Sequence, residues 1–439
     1  MDRRTIWADA GRTGEGMRGM KLEVKNIGLI REAEIELDGV TVLAGFNGTG
    51  KSTISKALYG IMAGYKDLQR RIEEERIRSV NTIIDSFFLE HTAILPSIKY
   101  SYLSTDIVRK LVPVPETFSE LLSCLNDGVK DSYAYNENYF ESIYSPYAQK
   151  LRAVVDRPDK EYARFILNRD INRLFEGQTN TLDSPTSGEI SLTRRETTIF
   201  LRIENRKVVS CSDCLFAVTT PVYLEPRHML DAFGTESGER EGRPYDFPLY
   251  TLLMGQDSPI YLDRDTPTYE QTAVRERVSN LIDSIIHGGL VKQVSSSEFQ
   301  FKDARFGEPV AVRNMASGSK TLAVLRRLVE QGTLRENGVL IIDEPENNLH
   351  PEWQIKLAQV LVMLQNELNL RILLNTHSTY FLRGIEVSSR KYGLADKCHY
   401  YKTEPAEDGL FRTVCVDGNT NEIYHEFYLP FEELDIPED

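Results

Sequence analysis

The sequence has little cysteine and tryptophan and no long apolar run. Five cysteines and two tryptophans occur in 439 residues, which is typical of a reducing compartment and excludes a disulfide-rich secreted domain. No apolar segment approaches the roughly 18 residues that a membrane-spanning helix needs. Residues 1–19 also lack the apolar core of a secretory signal. We therefore expect a cytoplasmic protein without a membrane partner, which begins with a loose extension over 1–19.

A clustered metal site also finds little support. Only Cys211 and Cys214 have CxxC spacing, and the next cysteine is Cys398, far along the chain. A zinc site needs a second pair or well-placed histidines. The pair is therefore interpreted as two ordinary thiols.

Excess positive charge, internal repeats and sustained heptads are absent as well. The formal net charge is -14, which argues against a uniformly basic nucleic-acid coat and mildly favours protein partners. Local basic patches still leave DNA binding possible. The missing heptads exclude long coiled-coil arms.

Strand and helix patterns alternate over most of the chain. Val339–Ile342 is a short, wholly apolar run typical of a buried parallel strand, and 371–375 reads as another. Such alternation predicts an α/β fold with a mixed sheet flanked by helices. We expect a discontinuous head over 20–65 and 295–439, with an inserted, mostly helical lobe over 66–294 that includes β segments.

A glycine-rich turn follows the first strands. Residues 45–52 read GFNGTGKS, which fits GxxxxGKS without a gap, and Thr53 follows. Such a loop turns backbone N–H groups toward phosphates, its lysine reaches the β- and γ-phosphates, and its serine hydroxyl binds Mg²⁺. The sequence therefore predicts a site for ATP and Mg²⁺. The expected nucleotide-binding residues are Asn47, Gly48, Thr49, Gly50, Lys51, Ser52 and Thr53.

Two acidic residues directly follow the apolar run Val339–Ile342. Asp343 stands where P-loop folds hold Mg²⁺ beside the phosphate loop, so we expect Ser52 and Asp343 to bind the metal. The adjacent Glu344 is the candidate general base that activates the attacking water. By themselves, two acids after an apolar run are more often the solvent-exposed end of a strand. Because a phosphate loop precedes them in this sequence, the functional interpretation is favoured.

Two weaker signals accompany this pair. Residues 316–320, ASGSK, precede a predicted helix from Thr321, and Ser317 and Gly318 offer a hydroxyl and backbone N–H groups to an anion. Alone, this segment would be an ordinary helix cap. His377 follows the strand 371–375, where a γ-phosphate sensor is expected, although a lone histidine there is usually a surface residue.

In this order the motifs resemble the ABC ATPase heads of SMC, RecF and OLD proteins. The segments that carry the resemblance are GFNGTGKST, ASGSK, VLIIDEPENNLHPEW and LLNTHS. The resemblance implies a P-loop over Asn47–Thr53, a signature at Ser317 and Gly318, and Walker B acids at Asp343 and Glu344. It further implies a D-loop at Asn348, Leu349 and His350, and a switch at His377. It also implies head-to-tail dimers in which Ser317 and Gly318 serve the partner's ATP in trans.

The sequence departs from that family in two places. The signature reads ASGSK instead of LSGGQ, which argues against a transporter subunit, and no Q-loop glutamine is found. Glu225, after the strand 222–224, is a weak candidate for that position. The spacing of 266 residues between Lys51 and Ser317 is too short for SMC arms.

Among armless relatives the layout is most similar to the ATPase subunits of PARIS anti-phage systems (the AriA family), with the Septu ATPase as a near alternative. The resemblance implies an oligomer that senses a phage trigger protein and controls a TOPRIM or other nuclease effector. A RecF-like DNA repair ATPase is the alternative function. We expect any nucleic-acid cleavage to come from a partner.

Overall fold

The computed structural model describes most of the chain. Residues 1–18 of the predicted extension lie outside the described part, as does Cys214. The described residues are 19–91, 114–125, 137–181, 186–213, 219–225, 246–254, 269–292 and 299–434.

Strands supply the frame of the molecule. Their bounds are β1 (Met20–Ile27), β2 (Ile30–Leu37), β3 (Val40–Ala44), β4 (Gly188–Arg194), β5 (Thr197–Glu204), β6 (Lys207–Cys211), β7 (Val222–Leu224), β8 (Gly288–Lys292), β9 (Phe299–Asp303), β10 (Val310–Ala311), β11 (Val339–Asp343), β12 (Arg371–Thr376), β13 (Cys398–Pro405) and β14 (Phe411–Cys415). Eleven of them form one sheet in the order β6-β5-β4-β1-β2-β14-β13-β3-β12-β11-β7, and β10-β9-β8 form a second.

The part of the large sheet from β13 to β7 is parallel. All residues of β3, β11 and β12 are buried, as expected of strands covered on both faces. Alternate residues of β11 enter different cores: Ile341 lies in one, and Leu340 and Ile342 lie in the other. The strands predicted at 339–342 and 371–375 are confirmed.

The remainder of the large sheet is mainly antiparallel, with β4 pairing to β1 and β5 to both β4 and β6. Strands β4 to β7 belong to the predicted lobe 66–294, yet they hydrogen-bond into the same sheet as the strands of the predicted head. The division into head and lobe stays a prediction.

Helices cover the sheet. Their bounds are α1 (Lys51–Tyr65), α2 (Leu68–Glu90), α3 (Phe118–Leu125), α4 (Glu137–Val155), α5 (Asp159–Leu174), α6 (Asp246–Leu253), α7 (Tyr269–Ile286), α8 (Ser317–Glu330), α9 (Pro351–Leu368), α10 (Thr379–Lys391) and α11 (Asn421–Leu434). Short 3₁₀ turns occur at Val312–Asn314 and Ala395–Lys397. None of the helices in the described ranges is long and apolar enough to cross a bilayer.

The architecture is therefore the predicted one, an α/β fold with a large mixed sheet flanked by helices. The glycine-rich loop joins the buried strand β3 to α1, which is the arrangement of P-loop NTPases. Because β3, β12 and β11 are parallel neighbours, their carboxyl ends meet at one edge of the sheet. That edge positions the candidate site.

Candidate nucleotide-binding site

The phosphate loop has a backbone that only glycine adopts freely. Gly48 and Gly50 have φ of 77° and 88°, which side chains rarely allow. A Cβ at Gly50 would also lie 2.5 Å from Ile30 Cδ1, whereas nothing lies within 4 Å of one at Gly48. The loop is thus tightly packed at its base and open at its tip, as a phosphate cradle requires.

Side chains inside the loop hold its shape. Thr49 Oγ1 donates to the carbonyl of Phe46 at 2.9 Å and accepts from Thr403 Oγ1 at 2.8 Å. Asn47 lines the cavity described below, and the backbone N–H of Thr53 donates to Gly50 at 3.0 Å. The loop is therefore fixed from β13 as well as from its own residues.

Lys51 is buried at the start of α1. Its ammonium donates to the carbonyl oxygens of Gly45 and Phe46 at 2.8 and 2.6 Å. Burial lowers the pKa of Lys51, and the nearby charges of Glu344 and Glu346 oppose this shift. The ammonium is thus held against the phosphate loop, within reach of phosphates bound there.

Asp343 ends β11 and is almost fully buried. Tyr223 Oη donates to its Oδ2 at 2.6 Å, and Asn375 Nδ2 donates to its Oδ1. Burial raises the pKa of Asp343, while hydrogen bonds from Tyr223, Ser55 and Ser52 lower it. The carboxylate is therefore oriented from both sides and lies beside the phosphate-loop serine.

This pair of residues fits Mg²⁺. Ser52 and Asp343 offer only oxygen atoms, which Mg²⁺ prefers, and Mg²⁺ usually takes its other ligands from water and substrate phosphates. Within the described residues, no group of three or more His, Cys, Asp or Glu side chains forms a metal cluster. The arrangement suits a metal ion that arrives with a nucleotide.

Glu344 and His377 face each other at the same edge. Glu344 has φ of 48°, and its backbone N–H donates to Asn375 O at 3.0 Å. Its Oε2 accepts from Asn347 Nδ2 at 2.6 Å, and its Oε1 lies 3.9 Å from His377 Nδ1. A positive φ at a non-glycine residue stores strain and is typical of functional sites. The predicted base and sensor are thus brought together.

Glu346 is a site residue that the sequence analysis missed. It is 4% exposed, and its Oε1 accepts from Thr376 Oγ1 at 2.6 Å and from His377 N at 2.9 Å. Burial raises its pKa. In the sequence, Glu346 is only an acidic residue two positions after Glu344. The neighbouring residues do not indicate that its side chain is buried.

The loop after Glu346 contacts the signature segment. Asn348 has φ of 59°, and His350 Nδ1 caps α9 by accepting from Glu352 N at 3.4 Å. A Cβ at Gly318 would meet Leu349 Cδ2 at 2.4 Å and Asn348 O at 3.0 Å. Gly318 is therefore required where α8 lies against this loop.

The signature segment begins its helix earlier than predicted. We expected a helix from Thr321, but α8 starts at Ser317 with Ala316 in the N-cap position and no side-chain cap. The backbone N–H of Ser319 already donates to Ala316 O at 3.0 Å. Packing against Asn348 and Leu349 outweighs the weak helix propensity of Ser and Gly.

One glutamine joins this loop to the switch. Gln354 Nε2 donates to Leu349 O at 3.0 Å, and Gln354 Oε1 accepts from Ser378 Oγ at 2.5 Å. Ser378 in turn caps α10 by accepting from Phe381 N at 3.2 Å. The amide group of Gln354 therefore connects Leu349, at the D-loop position, to Ser378, the residue after His377.

A cavity of about 560 Å³ lies in front of these groups. The phosphate loop, the loop after Glu346, the switch and α11 all contribute to its wall, through Gly45, Phe46, Asn47, Glu346, Asn347, Asn348, Leu349, Gln354, His377, Ser378, Thr379 and Phe427. Among the described residues, none from 316 to 320 lines it. The structure thus brings Lys51, Ser52, Asp343, Glu344 and His377 together, whereas no described side chain of the signature segment lines this cavity.

Glu225 lies beside the same acids. It follows β7, whose Leu224 is in register with Ile342 of β11. Its charge contributes to the raised pKa of Asp343. This is the position where a Q-loop residue was sought, and a role for Glu225 stays a prediction.

Two family models match the sequence. Residues 229–383 match one described as "AAA domain, putative AbiEii toxin, Type IV TA system", and residues 21–142 match one described as "AAA domain". The chain is also similar to the "Retron Vc95 probable ATPase" of Vibrio cholerae serotype O1 biovar El Tor, with 29% identity over 134 residues. That alignment covers 28% of this chain and only 25% of the retron protein.

The comparison with solved structures finds SMC heads at low TM-scores. The SMC head domain from Thermotoga maritima has a TM-score of 0.38 at 11% identity, over 91% of this chain and 99% of that chain. The Pyrococcus furiosus Smc head with an extended coiled coil, bound to the C-terminal domain of ScpA, has a TM-score of 0.41 at 12% identity, over 94% and 98%. Since these scores are low, the fold assignment rests on the strand order and the phosphate loop. Two parts of the chain are therefore similar to AAA-type ATPase domains.

Proposed function

We propose that the protein binds ATP with Mg²⁺ and hydrolyses it to ADP and phosphate. The observation that carries the proposal is the meeting of Lys51, Ser52, Asp343, Glu344 and His377 at the carboxyl ends of three neighbouring parallel strands. Each supplies a part that phosphoryl transfer needs, because such catalysis consists mainly of positioning and charge stabilisation.

Each group has a separate task. Lys51 neutralises charge on the β- and γ-phosphates, and Ser52 and Asp343 would hold Mg²⁺, which would supply further positive charge there. Glu344 accepts a proton from the attacking water. His377 donates a hydrogen bond to the terminal phosphate and so distinguishes ATP from ADP.

The ATP site is completed by a second copy of the chain. Gly318 packs against Asn348 and Leu349, and none of the described side chains of 316–320 lines the cavity beside the phosphate loop. This placement supports a head-to-tail dimer in which Ser317 and Gly318 of one chain bind the other chain's γ-phosphate. Such pairing is two-fold symmetric and closes on itself.

The ATPase acts in a bacterial defence system as a sensor and scaffold that controls a separate nuclease effector. The similarity to a retron ATPase and the family description naming a toxin–antitoxin system support this, as does the resemblance to PARIS ATPase subunits. The net charge of -14 favours protein partners over a nucleic-acid coat.

Replacing Lys51 tests the ATPase itself. Lys51→Ala removes the charge paired with the phosphates, so ATP binding measured by calorimetry should be lost together with phosphate release. Unchanged ATP affinity in Lys51→Ala would refute the phosphate-loop assignment.

A gel shift with duplex DNA at physiological salt, with and without ATP, tests the cellular role. A DNA repair ATPase would bind DNA in an ATP-dependent manner, whereas the defence scaffold should bind a nuclease encoded beside it. Co-purification with that nuclease and loss of phage protection in Glu344→Gln are the expected results.

A further inference from the structure

Glu346 is a buried acidic residue of the site that lies beside His377. Its Oε1 accepts from Thr376 Oγ1 at 2.6 Å and from His377 N at 2.9 Å, and lies 3.6 Å from His377 Nδ1. Its Oε2 is buried and has no hydrogen-bond partner among the described residues. An acid in such surroundings is costly to keep, which points to a function.

His377 shows the matching irregularity. Its Nδ1 is buried and has no hydrogen-bond partner within the described part of the chain. The atom lies 3.6 Å from Glu346 Oε1 and 3.9 Å from Glu344 Oε1. The side chain nevertheless lines the cavity beside the phosphate loop and is 36% exposed. Since Nδ1 is buried, the exposed part of the side chain belongs to the rest of the ring.

We propose that Glu346 is a positioning residue for His377: its carboxyl group shares one proton with Nδ1 and thereby presents Nε2–H as a donor to the terminal phosphate. The proposal rests on the proposed ATPase function and adds a residue that the motifs do not assign. An approach of about 0.7 Å brings Nδ1 and Oε1 to ordinary hydrogen-bond distance.

The position of the proton matters because a neutral imidazole has one N–H. If Nδ1 carried it, Nε2 would be an acceptor and would repel a phosphate oxygen. One additional proton in the Glu346–His377 contact removes this conflict. The contact is then either a carboxylic O–H donating to Nδ1 or a ring N–H donating to the carboxylate. In both forms Nε2 carries a proton. Burial raises the pKa of Glu346, which favours keeping the shared proton.

Glu346→Gln separates this role from a structural one. The amide oxygen must stay at the Oε1 position, since Thr376 Oγ1 and His377 N both donate there. That oxygen then requires Nδ1–H, and Nε2 loses its proton. We expect kcat to fall about 10–100-fold, as for the loss of one charged hydrogen bond, with little change in KM for ATP.

A double-mutant cycle supplies the decisive comparison. Because Glu346 acts through the ring, Glu346→Gln should lower kcat no further in a His377→Ala background. Thr376→Val is the matched control. It removes a hydroxyl from Oε1 but keeps the acid beside Nδ1, so its loss of kcat should be smaller than that of Glu346→Gln. Independent, additive losses, or an equal loss in Thr376→Val, would overturn the proposal.

A readout without turnover keeps this test separate from the ATPase assignment. In protein labelled with ¹⁵N-histidine, the ring nitrogens of His377 are assigned by comparison with His377→Ala, without nucleotide and with the analogue AMP-PNP and Mg²⁺. We expect Nε2 to be protonated in the wild type and Nδ1 to be protonated in Glu346→Gln. An unprotonated Nε2 in the wild type refutes the positioning role even if ATP is hydrolysed. Absence of hydrolysis together with the expected ring state refutes only the ATPase proposal.

Discussion

The hydroxyl of Tyr223 offers a sharp test of the proposed metal site. It donates to Asp343 Oδ2 at 2.6 Å between two buried residues on the neighbouring strands β7 and β11. Tyr223→Phe removes one oxygen atom and keeps the ring, so packing is retained. The change therefore acts on the carboxylate.

The size of the effect follows from the strength of this bond. A hydrogen bond to a charged group contributes about 1.5–3 kcal/mol, and one pKa unit corresponds to about 1.4 kcal/mol. Burial already raises the pKa of Asp343, and the bond from Tyr223 opposes that rise. Losing it should therefore raise the pKa of Asp343 further.

The direction of the pH effect follows from the weak Mg²⁺ binding of the protonated carboxyl group. A protonated carboxyl binds Mg²⁺ poorly, so Mg²⁺ affinity declines as the pH falls through the pKa of Asp343. In Tyr223→Phe this decline should begin at a higher pH, while affinities at high pH converge with the wild type.

The assay measures ATP hydrolysis as a function of Mg²⁺ concentration. It is repeated at several pH values around neutrality, between about pH 6 and 9. Tyr59→Phe is the control. Its ring lies 5.6 Å from that of Tyr223 in the same core, and the change likewise removes one hydroxyl. If the half-saturating Mg²⁺ concentration in Tyr223→Phe follows the wild-type pH profile, the reasoning about Asp343 is wrong.

Three further outcomes are expected. Glu344→Gln should bind ATP and Mg²⁺ normally but hydrolyse about 10²–10⁴-fold more slowly, since only the base is lost; wild-type turnover would place the base elsewhere. Lys51→Ala and a Ser317→Phe variant should each be inactive alone, and mixing them should partly restore hydrolysis if subunits exchange; normal hydrolysis by Ser317→Phe alone contradicts a shared site. Because burial raises the pKa of Glu346 above its ordinary 4.5, that group costs stability as the pH rises from about 4.5 through the folded-state pKa. Glu346→Gln should therefore raise the melting temperature at pH 8 and flatten its pH dependence, and an unchanged slope would count against this account.

The parallel core and the phosphate loop could be predicted because their signals are local. The apolar run at 339–342 fits a strand covered on both faces, and the loop at 45–52 combines glycines, lysine and serine at fixed spacing. Each pattern is contained within about a dozen residues, where periodicity and turn chemistry are informative.

The remaining features depend on contacts between distant residues. Tyr223 and Asp343 are 120 positions apart, and Asn375 and Ser55 are 320 apart. A tyrosine in a short strand gives no sign of its partner in the sequence. The early start of α8 likewise depends on packing against a loop about thirty positions later. Such positions are decided by tertiary structure rather than by propensity.

The contact that Gln354 makes links the activity of each ATP site to the number of subunits in the assembly. In the proposed pairing, the neighbouring chain reaches the loop 347–350, and the single amide of Gln354 connects Leu349 in that loop to Ser378, next to His377. In a chain without a neighbour, nothing would then act on His377 through Gln354. An assembly with an odd number of such heads would contain at least one silent site, so phosphate released per chain would report on even or odd stoichiometry.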